Sequence, residues 1–347
     1  MKVDKIVVSN FLAFYNFKGT KEFHTDIETV SVDTKEPFEI DFSKGINVLI
    51  GENATGKTTL LKMIYAATQW SNTKTDPNKA KRITDFFSFG ENSNEILKSY
   101  GSDDPACFYE LHCEGKKFEW SLTHNGFLNY GNWLGTDIES VFIPAKDMIS
   151  HSNGFLALNN KYRLPFDGTL VDIIVNAQLP ELREYPEYFG NILKILEDSI
   201  DGKVVFEKDK FYVVKHNGQK LPYEYESDGF KKLGLLYRLL SNGSIRKDSI
   251  LLWDEPEANI NPELFPIVVD ILLELEKQGI QIFITTHNYV FAKYFDLKKK
   301  EQPISFYSLY KEDGIIHAER ADKFSDIKNN SIMSSFEKML DEVYDQR

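Results

Sequence analysis

Short apolar runs rich in β-branched and aromatic residues alternate along this chain with longer amphipathic stretches, a pattern that predicts a mixed α/β protein. Residues 5–11 and 46–50 read as strands, and residues 58–67 as a helix following the second of them. Residues 107–113, 117–123 and 141–143 alternate aromatic and polar positions, as strands of an antiparallel sheet do. The middle reads as helical, with amphipathic pieces at 161–164 and 170–177 and a full helix at 187–200. Residues 204–206 and 211–214 form a hairpin across Glu207-Lys208-Asp209-Lys210, with a second turn at His216-Asn217-Gly218-Gln219. A helix over 231–240 follows, then apolar strands at 249–253 and 279–286. The last expected elements are a strand at 304–310, a turn at Glu312-Asp313-Gly314 and a helix near 332–344. No heptad pattern persists for several turns, so no long coiled coil is expected.

The junction between the second strand and its helix carries the chemistry. Residues 51–58 read Gly-Glu-Asn-Ala-Thr-Gly-Lys-Thr, which matches G-x-x-x-x-G-K-[ST]. Gly51 and Gly56 let the chain curl so that the N–H groups of Glu52, Asn53, Ala54 and Thr55 can face phosphates, and the helix N-terminus at Thr58-Thr59 adds to the field. Lys57 would reach the β- and γ-phosphates of ATP, and the Thr58 hydroxyl would bind Mg²⁺. Much further along, the apolar strand at 249–253 ends on Asp254 and Glu255. Ligands of open α/β sheets gather at strand C-termini. Asp254 is therefore the second expected Mg²⁺ ligand, and Glu255 the base that polarises the attacking water. The strand at 279–286 ends on His287.

With these pieces in this order, the chain resembles the ABC-type ATPases, and within them the SMC, RecF and OLD branch often labelled AAA-family ATPases in bacterial genomes. The opening run at 5–11 looks like that branch's first strand and its Asn-Phe turn, here Asn10-Phe11. Glu255-Pro256-Glu257-Ala258-Asn259-Ile260-Asn261-Pro262-Glu263 looks like its D-loop, with Asn261 where His or Asp is more common. The resemblance implies that His287 is a switch histidine contacting the γ-phosphate. It also implies a signature motif, for which Glu226-Ser227-Asp228-Gly229-Phe230 is the suitable stretch. Ser227 and the Gly229 amide would then bind the γ-phosphate of ATP held by a second subunit. The family's Q-loop glutamine has no clear counterpart, because the strand and turn at 140–147 offer Lys146 and Asp147 instead. The fold implied is an ABC-type P-loop ATPase head with a mixed core sheet, an antiparallel β part and a helical lid. The nucleotide-binding domain would comprise 1–144 and 201–315, the lid 145–200, and a C-terminal helical tail 316–347.

The chain has 347 residues, 42% of them hydrophobic, enough for a large core and one or two domains. No apolar run approaches a membrane span. Met1-Lys2-Val3-Asp4 leads into a strand rather than a signal peptide, so a cytoplasmic protein without membrane partners is expected. Cys107 and Cys113, with His112 between them, read as free thiols rather than metal ligands. The net charge is 41 − 53 = −12, which disfavours stand-alone nucleic-acid binding, although a local basic patch can do that work; Lys74, Lys79, Lys81 and Arg82 form one candidate cluster, which reads first as a solvated loop.

The resemblance points first to a switch. Two copies, or a higher homo-oligomer, would close around ATP and control a separately encoded effector, a nuclease or toxin, as in anti-phage systems similar to Septu and PARIS. A second reading is a RecF-like clamp on duplex DNA. A transporter motor is disfavoured, since Leu-Ser-Gly-Gly-Gln and a clear Q-loop are both missing.

Overall fold

The computed structural model describes all residues except 15–19, 25–28, 34–36, 72–82, 88–96, 98–106, 123–126, 130–132, 134–135, 163 and 346–347. The basic cluster Lys74, Lys79, Lys81 and Arg82 and the strand end at Thr123 lie outside the described residues.

In chain order the first strands are β1 (Val3–Ser9), β2 (Thr20–His24), β3 (Thr29–Asp33), β4 (Phe38–Asp41) and β5 (Ile46–Gly51), leading into helix α1 (Lys57–Ser71). Then come β6 (Cys107–Cys113), β7 (Lys116–Leu122), β8 (Phe127–Asn129) and β9 (Ser140–Ile143). Helices α2 (Phe155–Tyr162), α3 (Gly168–Gln178) and α4 (Glu187–Ile200) fill the expected lid. The chain returns through β10 (Gly202–Glu207), β11 (Lys210–Lys215), β12 (Lys220–Pro222) and α5 (Asp228–Ser241). It ends with β13 (Ile250–Asp254), α6 (Phe265–Lys277), β14 (Gln281–Thr285), α7 (Tyr289–Lys298), β15 (Ile304–Glu312), β16 (Ile315–Ala321) and α8 (Ser331–Asp345).

The central sheet has six strands in the order β16-β15-β5-β14-β13-β9. From β15 to β9 all neighbours run parallel. A parallel sheet is covered on both faces, so its strands are apolar throughout rather than alternating. Every residue of β5, β13, β14 and β9 is accordingly buried. One face packs against α3 and α4 together with α5, α6 and α7. The other packs against α1 and the antiparallel sheet β4-β1-β6-β7-β8. β5, β13 and β14 are adjacent and parallel, so their C-terminal ends, at Gly51, Asp254 and Thr285, fall on one edge.

Three sequence expectations are corrected here. The strand at 141–143, expected in the antiparallel part, is β9 and pairs parallel with β13 at the edge of the central sheet. The stretch expected to open the helical tail at residue 316 is strand, because β16 pairs antiparallel with β15 from Phe306↔Ala321 to Glu312↔Ile315. It is a half-exposed edge strand, so its residues lack a clean apolar alternation. The helical piece expected at 161–164 is the end of α2, which closes at Tyr162, just ahead of Leu164-Pro165, where the residue before a proline leaves the helical region.

Candidate functional site

The glycine-rich loop 51–56 leaves β5 at the shared strand edge and enters α1 at Lys57. Its two glycines are required by geometry. Gly51 has φ +139° and a Cβ there would lie 2.1 Å from the Leu309 carbonyl oxygen. Gly56 has φ +88° and a Cβ would sit 2.5 Å from the Phe14 ring. Phe14 is buried and bridges to Phe11, so the Asn10-Phe11 turn backs the loop from below. Glu52, Asn53 and Ala54 are exposed on its crest, whereas Thr55 is buried and its hydroxyl donates to the Glu52 carbonyl at 2.9 Å. The Lys57 ammonium lies within the loop, donating to the carbonyls of Gly51 (2.9 Å) and Glu52 (2.6 Å). Burial lowers its pKa to about 8, opposed by the negative charges of Glu255, Asp254 and Glu52. Thr59 follows half-buried on α1.

The acidic strand end meets this loop. The Thr58 hydroxyl donates to both Asp254 carboxylate oxygens, at 2.9 and 3.1 Å. Asp254 Oδ1 also accepts from the Thr285 hydroxyl at 2.6 Å. Thr285 also accepts from the Glu255 N–H at 3.0 Å, so one buried hydroxyl ties the two acids together. Glu255 has φ +46°, a left-handed conformation that costs a non-glycine residue about 1–2 kcal/mol. Both its backbone groups are pinned, the N–H by Thr285 and the carbonyl by Lys232 Nζ at 2.7 Å. Its side chain is free of those anchors and turns to His287, whose Nε2 is 3.3 Å from Glu255 Oε1. Burial and the Lys57 charge hold the imidazole below its usual pKa, so it is neutral at pH 7 and can donate to the carboxylate.

The loop, Asp254, Glu255 and His287 are thus brought together within one chain. Thr58 and Asp254 offer adjacent hard oxygen donors of the kind Mg²⁺ takes when water and phosphate complete its shell. A cleft of ≈ 570 Å³ opens beside them, between Glu52, Asn53 and His287 on one side and α8 on the other. There Tyr289 and Phe336 stack at 4.3 Å.

Ser227 and Gly229 stand elsewhere. Ser227 is the exposed N-cap of α5, its hydroxyl accepting from the Phe230 N–H at 3.4 Å. Gly229 is buried against the backbone of Asn259 and Ile260, where a Cβ would meet both at 3.4 Å. Asn261 is exposed and caps the turn Pro262–Leu264 through the Glu263 N–H at 3.2 Å. Among the described contacts none joins these residues to the loop of their own chain. At the Q-loop position Asp147 accepts from the Ile149 N–H at 2.9 Å and lies 3.8 Å from Lys231 of α5. Cys107 and Cys113 are buried and not joined in a disulfide, and no group of three potential metal ligands occurs among the described residues.

Three contributors are invisible in the sequence pattern. Thr285 looks like any buried strand residue. Lys232 sits on a helix that also buries Arg238 and Ser241, so a buried polar position there is no signal by itself. Glu257 is buried and accepts from the Thr286 hydroxyl at 2.5 Å and the His287 N–H at 3.2 Å. Its adjacency to the Asp254-Glu255 pair was the only hint.

Known proteins resemble this chain to different extents. The family model described as "AAA domain, putative AbiEii toxin, Type IV TA system" matches residues 132–292, which contain the acidic strand end and His287. The DNA double-strand break repair Rad50 ATPase of Nanoarchaeum equitans is 27% identical over 172 residues, 48% of this chain and 19% of that protein. The DNA replication and repair protein RecF of Cytophaga hutchinsonii is 25% identical over 173 residues, 48% of this chain and 41% of that protein. The chain therefore spans less than half the length of these curated relatives. The SMC head domain from Thermotoga maritima shares the fold with a TM-score of 0.51 at 18% identity, over 92% of this chain and 99% of that one.

Proposed function

We propose that this chain, an ABC-type ATPase of the SMC and RecF kind, is an ATP-driven switch that closes as a homodimer around nucleotide and governs a separately encoded effector. The observation that carries the reading is the Asp254 carboxylate held between Thr58 and Thr285, beside Lys57, Glu255 and His287.

In this reading the loop N–H groups of residues 52–56 and Lys57 bind the β- and γ-phosphates. Thr58 and Asp254 hold Mg²⁺, which when bound neutralises charge on the phosphates. Glu255 accepts a hydrogen bond from the attacking water and orients it in line with the γ-phosphorus. His287, neutral, has a single N–H; it turns from the Glu255 carboxylate to the γ-phosphate when nucleotide binds and so registers its presence. The step breaks the bond between the γ-phosphorus and the β–γ bridging oxygen and forms one from water oxygen to phosphorus, with the water proton passing to Glu255, giving ADP and phosphate. Ser227 and Gly229 make no described contact with their own loop, and this supports their use in trans. In a face-to-face pair each signature turn reaches the γ-phosphate held by the other copy, so two nucleotides are sandwiched and hydrolysis releases the dimer.

The effector is a nuclease or toxin, and the process bacterial anti-phage defence in the cytoplasm. The matched family's description as a putative toxin of a toxin–antitoxin system supports that direction. The names of the Rad50 and RecF relatives favour a second reading, a clamp on duplex DNA. No helix among the described residues is long and apolar enough to cross a membrane. The discriminating experiment is capture of tagged Glu255→Gln protein from its host with ATP present, followed by mass spectrometry and nucleic-acid staining. A stoichiometric nuclease or toxin encoded beside it supports the switch. Recovery of DNA without a protein partner overturns it in favour of the clamp.

A further inference from the structure

We infer that Lys232 and Glu257 form a positioning pair that couples the signature helix α5 to Glu255 and His287; this rests on the sandwich reading above. Three observations carry it. Lys232 lies one turn into α5, is 9% exposed, and donates from Nζ to the Glu255 carbonyl at 2.7 Å. Glu257 is 8% exposed, and its Oε1 accepts from the Thr286 hydroxyl and the His287 N–H. Its second oxygen, Oε2, is buried with no hydrogen-bond partner. A buried carboxylate oxygen without a donor is costly. The nearby cation is Lys232, whose charge Glu257 stabilises more than any other carboxylate does.

The ammonium has three protons and two acceptors to choose between. Bonded to the Glu255 carbonyl, it holds that residue in its left-handed conformation. Shifted along with α5, it meets Glu257 Oε2 and relieves the unpaired oxygen. Glu257 in turn holds the backbone of His287. A pull on Ser227 and Gly229 at the start of α5, such as a γ-phosphate in the partner's loop would exert, thereby reaches both Glu255 and His287. Nucleotide in one site would set the hydrolytic geometry of the other.

The test compares Lys232→Met, Glu257→Gln and the double variant, measuring ATP affinity, kcat, KM and melting temperature. The pair predicts kcat lowered by about tenfold or more in each single variant, with ATP affinity within about threefold of the parent. It also predicts that the double variant is no slower than the slower single one, because both act through one link. Glu257→Asp, which keeps the charge but shortens the reach, provides an independent reading where a primary variant fails to fold, and lowers kcat likewise. Unchanged kcat with a lowered melting temperature, or additive losses, would overturn the inference. A parent protein that binds no ATP would instead defeat the sandwich reading itself.

Discussion

Replacing Thr285 by valine isolates the hydroxyl that joins the two acids. The side chains are nearly isosteric, and Thr285 is 1% exposed, so no cavity opens and no solvent compensates. One bond lost is the donation to Asp254 at 2.6 Å, a charge-assisted contact of about 1.5–3 kcal/mol. The other leaves the Glu255 N–H without its acceptor at 3.0 Å, about 1 kcal/mol. Together the variant should be destabilised by roughly 2–4 kcal/mol in urea unfolding followed by tryptophan fluorescence. With its N–H anchor gone, Glu255 keeps only the Lys232 bond to its carbonyl, and its left-handed backbone orients water less firmly. We expect kcat to fall about ten- to hundredfold in a phosphate-release assay, where each tenfold is about 1.4 kcal/mol of barrier. Lys57 is held by Gly51 and Glu52 and not by Thr285, so nucleotide affinity should stay within about threefold. A variant as stable and active as the parent would refute this reasoning. So would a loss of ATP affinity as large as the loss of kcat, which would make Thr285 a support of the loop rather than of the acids.

Lys57→Ala should weaken ATP binding itself, by at least about tenfold in a fluorescent-nucleotide titration, and unchanged affinity would undo the phosphate-loop assignment. Gly56→Ala combines φ +88° with a contact to Phe14, so it should lower both stability and nucleotide binding, and a fully stable variant would contradict the wedge geometry. Burial lowers Lys232 to about 8 from 10.5. Between those values the unfolded chain holds more protons than the folded one, so this residue's contribution to stability rises with pH across that window. The parent should therefore gain stability relative to Lys232→Met between about pH 8 and pH 10 in urea titrations, and a constant difference would refute the shift. Burial raises the Cys113 thiol well above its usual value, so at pH 8 thiol reagents should label Cys113 only as the protein unfolds. Rapid labelling of the native protein would contradict that burial.

The glycine-rich loop, Asp254-Glu255 and His287 were legible because each is a short run whose chemistry depends on its own residues and on lying at a strand end. Their convergence followed from β5, β13 and β14 being adjacent, which apolar runs alone do not dictate. The supports were not legible. Thr285, Lys232 and Glu257 act through partners between 23 and 31 positions away along the chain, and their types are ordinary for a strand, a helix and a turn. β16 was missed because an edge strand with one solvated side need not alternate cleanly. The turn at Ser227-Gly229 shows the opposite limit. Its sequence suggested a role toward a second copy, and among the described contacts Ser227 meets its own helix.

The central claim is that ATP joins two copies of this chain, and sedimentation of Glu255→Gln protein with ATP and Mg²⁺ tests it most directly. The account predicts a dimer that forms only with ATP and is abolished by Ser227→Arg, while each monomer still binds nucleotide. Glu255→Gln protein that binds ATP and sediments as a monomer would contradict it.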